Sequence, residues 1–232
     1  SSRARPVLTV LKDINDDPFY PEYWGKAQSG MQAFEQIDPE KQEEALKIWK
    51  NMIQFNVNHV KKLHELGVHK QLANRPLEWC QYIDVVISGT EFNNFFALRT
   101  HKDAQPEIQK ISQMMWDHYS TNTPKRLKLN ESHLPYVQWY ERTGYTEEIL
   151  RKISAARCAR VSYKPFNSER ADIEKDLELF NKLVGNSPGH WSPLEHVAIS
   201  TLNPFKHSGN IQGFTQFRKY FKTENIKHFN GY

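Results

Sequence analysis

Seven residues, His190-Trp191-Ser192-Pro193-Leu194-Glu195-His196, gather two imidazoles, a hydroxyl and a carboxylate into one short stretch. Ser192 and Glu195 stand at the spacing of a capping box, and Pro193 at the favoured first helical position. A helix starting there would aim unpaired N–H groups and a positive dipole end at an anion such as a phosphate. The plain alternative is a well-capped helix start with no ligand. Zinc fits poorly, because no H-E-x-x-H is present and no third ligand is apparent. A second cluster is Asn94-Phe95-Phe96-Ala97-Leu98-Arg99, followed by Ala104-Gln105-Pro106-Glu107-Ile108. On a helix Asn94 and Arg99 point about 140° apart, so they serve different ligands or different parts of one. An Arg at a helix end can make paired hydrogen bonds to a phosphate or a pyrimidine edge, or simply sit in solvent where the dipole favours it.

Three weaker signals complete the set. Arg157 and Arg160 flank small residues ahead of Ser162-Tyr163, which suits close backbone approach of a ligand or a buried strand with solvated arginines. Ser1-Ser2-Arg3-Ala4-Arg5-Pro6 is a cationic, hydroxyl-rich cluster or a frayed terminus. Gln216-Phe217-Arg218-Lys219-Tyr220 mixes bases and aromatics in a way that could stack on single-stranded nucleic acid. Cys80 and Cys158 stand in no nucleophile context and read as small core residues.

The elements that must carry these groups are mostly helical. The spacing predicts a helix opening at Pro39-Glu40, striped by Leu46, Trp49, Ile53, Val60 and Leu63, and stopped at Gly67. Further helices are expected over 68–79, 91–99, from an Asp103 cap, and over 172–184, with Gly185 as the stop. Residues 13–38 read as a long ordered loop and 120–135 as a polar loop. Residues 83–87 are a short strand or part of a buried helix, 155–163 a buried element, and 197–202 a strand. The expected class is α+β. With 232 residues, 38% hydrophobic, 12% aromatic and a net charge of +4, the chain is not a membrane span, a disordered chain or a fibrous repeat. One domain over residues 1–232 is expected. Two cysteines make no disulfide framework and no apolar leader follows Ser1, so a cytoplasmic setting is expected.

Taken together, these segments resemble the flavin-dependent thymidylate synthases, the ThyX family. That family carries A-R-x-S-[YF], an acidic helix, and H-x-[ST]-P-[FL]-E-H, matched here at 159–163, 172–184 and 190–196. It also carries N-F-x-x-L-R and A-Q-x-E-I, matched at 94–99 and 104–108. Its G-V-x-x-E-x-A-R is approximated by Gly67 to Arg75, with Asn74 at the family's Arg position and Arg75 next. The motif order is permuted relative to the family. Ser1-Ser2-Arg3 matches only the end of its R-H-R-x-x-S-x-N-x-x-S-x-R, as in a chain incomplete at its N-terminus.

The resemblance implies a central, mostly antiparallel sheet flanked by helices, and a homotetramer with active sites at subunit interfaces. It implies synthesis of dTMP from dUMP, with FAD as cofactor and NADPH and methylene-tetrahydrofolate as co-substrates, without a Cys nucleophile or a metal. The implied catalytic residue is Arg99. Ser1, Arg3, Arg75, Arg99, Gln216 and Arg218 are implied to hold dUMP, and Asn94, Ser162, His190, Ser192 and Glu195 to hold FAD. The rival readings are transfer of another one-carbon group to a pyrimidine nucleotide, a non-catalytic single-strand nucleic-acid binder, and an inactive fragment.

Overall fold

The computed structural model describes residues 5–161 and 172–225. It divides into two compact units, residues 1–84 with 93–122 and residues 85–92 with 123–232. Ser1, Arg3 and Ser162 lie outside the described residues.

The first unit is helical. Helix α1 (Val7–Asp16) buries Val7, Val10, Leu11 and Ile14. That i, i+3, i+4, i+7 stripe is one face of a helix, and its last turn occupies the start of the expected loop. Residues 17–38 remain irregular apart from a single bridge between Gly25 and Gln36. Helix α2 (Pro39–Glu65) begins and ends as the sequence predicts. It turns Ile53, Val57 and Val60 inward, and Gly67 takes φ +79°, where a side chain would be strained. These side chains pack with Ala73, Leu77 and Cys80 into one core.

The helix expected over 68–79 is broken. Helix α3 (Lys70–Ala73) stops at Asn74 and a 3-10 turn runs from Arg75 to Cys80. Pro76 lacks an N–H, and inside a continuous α-helix its ring would meet the Leu72 carbonyl. Helix α4 (Asn93–Arg99) is shorter than expected. Helix α5 (Pro106–Thr121) is capped at Gln105 rather than Asp103, with Pro106 in the first turn. On α5 Ile111 is exposed, Met115 is half-buried, and only Ser112 is buried. Residues 83–87 form neither strand nor helix, and Ile83, Val85 and Ile87 are exposed.

The second unit is the α+β part. Strand β2 (Ala198–Ser200) lies between β1 (Ser132–His133) and β5 (Phe214–Gln216), antiparallel to both. A separate antiparallel pair joins β3 (His207–Ser208) and β4 (Ile211–Gln212). Helices α6 (Glu147–Ala159) and α7 (Ile173–Gly185) pack on each other and share a core with Leu194, Val197, Ile199 and Phe217. Asp172 caps α7 by accepting the Lys175 N–H at 3.2 Å. Residues 155–159 are therefore the end of a helix, not a strand. Its small residues let α6 approach its neighbours closely. Ile153 is fully buried on α6. Ile153→Ala is expected to cost about 2–5 kcal/mol in urea unfolding, the range for an aliphatic core truncation.

Candidate functional site

In the first unit, α4 carries both Asn94 and Arg99 on its exposed surface. Arg99 ends the helix, where the dipole favours a cation. Among the described residues its guanidinium has no hydrogen bond or ion pair, so all five donors are available to a ligand. The helix is held from beneath by Phe96, which packs edge-on with Trp116 of α5 at a centroid distance of 5.1 Å. Of the two residues competing for the family's Arg position, Asn74 is fully buried and donates from its amide to the Arg5 carbonyl at 3.1 Å. Arg75 is exposed, with only its Nε directed back to the Gln71 carbonyl at 3.3 Å. A guanidinium edge remains open at residue 75 and not at 74.

In the second unit the segment 190–196 does not form the capped helix that its sequence suggests. Ser192–Glu195 is a single 3-10 turn, its N-cap is Trp191, and no side chain caps it. Four residues align too few peptide dipoles to make an anion site of their own, so the helix-dipole reading of Ser192 is corrected. Ser192 and His190 are exposed on either side of buried Trp191, and the His190 N–H is anchored on the Leu183 carbonyl at 2.8 Å.

Glu195 and Arg218, expected to serve different ligands, meet each other. Arg218 donates from Nη1 to Glu195 at 3.0 Å and from Nε to Glu224 at 2.8 Å. Glu224 also receives Lys219 at 2.6 Å. Burial favours the neutral form of Glu224, but these two cations outweigh it and hold its carboxyl below the usual range. Arg218 is thus an ionic tie between the turn at 192–195 and the turn at 217–220. Gln216 is buried at 4% exposure with its amide packed against Gly209, and its N–H is bonded to Ser208 Oγ at 3.0 Å. It presents no surface to a nucleotide.

His196 completes the same motif from inside. Its Nδ1 lies 3.2 Å from Ser88 Oγ. Burial pushes its pKa down, against the opposing pull of Glu195. His133 on β1 keeps an exposed face, and its pKa is also pushed down, first by the desolvation of its ring and then by Arg142 and His196. Both imidazoles are neutral near pH 7. Burial raises the thiols of Cys80 and Cys158 to about 11 and about 12. Neither is a thiolate at neutral pH, so neither is primed as a nucleophile.

Arg157 and Arg160 are not solvated. Arg157 is 1% exposed and donates to both oxygens of Glu141 at 2.7 and 2.6 Å, to Asp176 at 2.8 Å and to the Tyr136 carbonyl at 2.8 Å. Arg160 reaches the other oxygen of Asp176 at 2.8 Å. This buried lattice joins α6, α7 and the turn at 139–143. Sequence reasoning missed Glu141, Asp176, Glu224, Ser88 and His133. One usable signal was Gln138 with Glu141, a capping box that places the Glu141 carboxylate beside its own turn.

Among the described residues no helix is long and apolar enough to cross a membrane, and no group of three or more His, Cys, Asp or Glu is arranged to hold a metal ion. Residues 19–125 match the family model described as Thymidylate synthase complementing protein. The match spans 107 of the 232 residues and makes this part of the chain similar to the ThyX family. The matched segment contains Arg75, Asn94 and Arg99. No curated protein and no solved structure matches the chain.

Proposed function

We propose that the chain is a flavin-dependent thymidylate synthase that reductively methylates dUMP to dTMP, with methylene-tetrahydrofolate and NADPH as co-substrates. The family match over residues 19–125 carries this reading. Arg99 is assigned the central catalytic role. Its open guanidinium can donate to the uracil N3–O edge and stabilise negative charge as the ring is activated. Arg75 is assigned to the dUMP phosphate, with Ser1 and Arg3 from the N-terminal cluster. Arg218 and Gln216 order the turn they belong to in the second unit.

The donor set around the 190–196 turn fits FAD as a hydrogen-bonding surface. His190 offers an exposed imidazole and Ser192 an exposed hydroxyl, groups that suit phosphate or ribityl oxygens. Asn94, Glu195 and Ser162 complete the assigned set. When bound, FAD supplies the hydride of the reaction. This chain's residues supply position and charge: Glu195 fixes Arg218, and Arg99 holds and polarises the pyrimidine.

The remaining parts of the reading are a single ThyX-like domain spanning both units, motifs in permuted order, a cytoplasmic setting and a homotetramer. The tetramer is supported by the exposed apolar side chains Ile111 and Met114 of α5, which a neighbouring subunit can bury.

Glu195→Ala tests the turn. It removes one of the two carboxylates on Arg218 and leaves the other, so the fold is expected to survive. The flavin-to-protein ratio on purification is expected to fall severalfold. A ratio equal to that of the unaltered protein would remove Glu195 from the flavin site.

A further inference from the structure

A cavity of about 640 Å³ opens within the second unit. None of the residues assigned above to nucleotide or flavin lines it. Its apolar surface comes from Leu127, Leu202, Ile211 and Phe214. At its rim stand Lys125 and Arg126, with Glu91 the one carboxylate among the lining residues. Lys125 is already paired with Glu131. Arg126 is exposed, and among the described residues it has no hydrogen bond or ion pair. One cation is therefore available beside an apolar chamber of ligand size.

The walls are fixed by their own bonds. Ser88 is held through its hydroxyl by His196 and through its carbonyl by Asn210. Thr90 Oγ1 accepts the Gln212 N–H at 2.9 Å. Leu202 lies at φ +51°, a left-handed backbone that a bulky side chain rarely adopts, and it lines this cavity. Retained strain of this kind concentrates where a surface is shaped for a ligand. His133 also lines the chamber, and it adds a hydrogen-bonding ring without a charge.

We propose that this cavity binds an organic anion, with a flat apolar body between Leu127, Ile211 and Phe214 and one carboxylate, phosphate or sulfonate on Arg126. A neutral body of the same shape should enter but lack the charge-assisted bond. A simple inorganic anion should lack the apolar contact that holds it.

The test uses the full chain and two fluorescent probes of similar shape, the anionic 8-anilinonaphthalene-1-sulfonate and the neutral N-phenyl-1-naphthylamine. The sulfonate is expected to saturate at one probe per chain, and benzoate or phenyl phosphate to displace it. Arg126→Gln, at an exposed position, should weaken the sulfonate about fivefold or more and leave the neutral probe unchanged. Leu127→Trp should weaken both probes by narrowing the apolar face they contact. Circular dichroism and thermal unfolding establish that each variant is folded, and Arg126→Gln carries the test if Leu127→Trp is not. Sulfonate affinity unaffected by Arg126→Gln would overturn the proposal, as would equal weakening of both probes or failure of both competitors. Whether dTMP forms is a separate readout, so loss of this site leaves the proposed synthase activity standing, and the reverse.

Discussion

Arg99→Ala is expected to lower dTMP formation by at least about a hundredfold while leaving flavin absorbance and thermal unfolding near those of the unaltered protein. The size follows from the role. A donor aimed at charge that develops in the transition state is worth about 10²–10³ in rate when removed from a preorganised site. The selectivity follows from the position. Arg99 is the exposed last residue of α4, and among the described residues it has no partner that its loss would strand. The helix keeps its packing through Phe96 and Trp116. Turnover and flavin spectrum measured on one preparation separate the outcomes. Equal loss of turnover, flavin and thermal stability would make Arg99 a structural residue. Turnover within a factor of a few of the unaltered protein would remove it from the chemistry.

Arg157→Met is expected to have the largest effect on stability, about 3–5 kcal/mol at neutral pH, the range for breaking a buried ion pair from one side. Met roughly fills the volume but leaves the Glu141 and Asp176 carboxylates buried without their shared cation. The pH dependence should flatten as well. Burial alone favours the protonated form of Glu141, but the bonds from Arg157 and from the Gln138 N–H outweigh it and hold the carboxyl below the usual range. A carboxyl depressed in the folded state contributes stability above its unfolded pKa, about 4.3, and loses it as pH falls through the folded value. The unaltered protein should therefore weaken on acidification through this region. In Arg157→Met the cation is gone and only the Gln138 N–H still opposes burial, so the folded pKa of Glu141 rises. The loss of stability on acidification should then be smaller in the variant than in the unaltered protein. Urea unfolding at a series of pH values reads both slopes. Parallel slopes would show that Glu141 does not depend on Arg157.

The long periodic elements were legible because their signals are local. Pro39 and Gly67 bracket α2, and Asp172 and Gly185 bracket α7, each through the backbone preference of one residue type. Helix α1 has a stripe of the same kind at Val7, Val10, Leu11 and Ile14, but it was not read from the sequence. What failed was every reading that needed to know a neighbour. Ser192 and Glu195 have capping-box spacing, yet Glu195 is taken by Arg218, twenty-three positions away, and the turn closes as 3-10. Arg157 reads as a surface charge until Glu141 and Asp176 are brought to it from two other elements. Residues 83–87 have strand composition, but composition cannot supply a pairing partner.

The site divides the same way. Arg99 and Asn94 were identifiable from one contiguous motif on one helix. Between Asn74 and Arg75 the sequence offered no preference; the structure buries Asn74 against the Arg5 carbonyl and leaves Arg75 exposed.

The most direct measurement is dTMP formation by the purified protein supplied with dUMP, methylene-tetrahydrofolate and NADPH, run beside Arg99→Ala. The proposed function predicts dTMP from a yellow protein and almost none from the variant. A folded, flavin-loaded protein that makes no dTMP, or a variant that makes it undiminished, would contradict it.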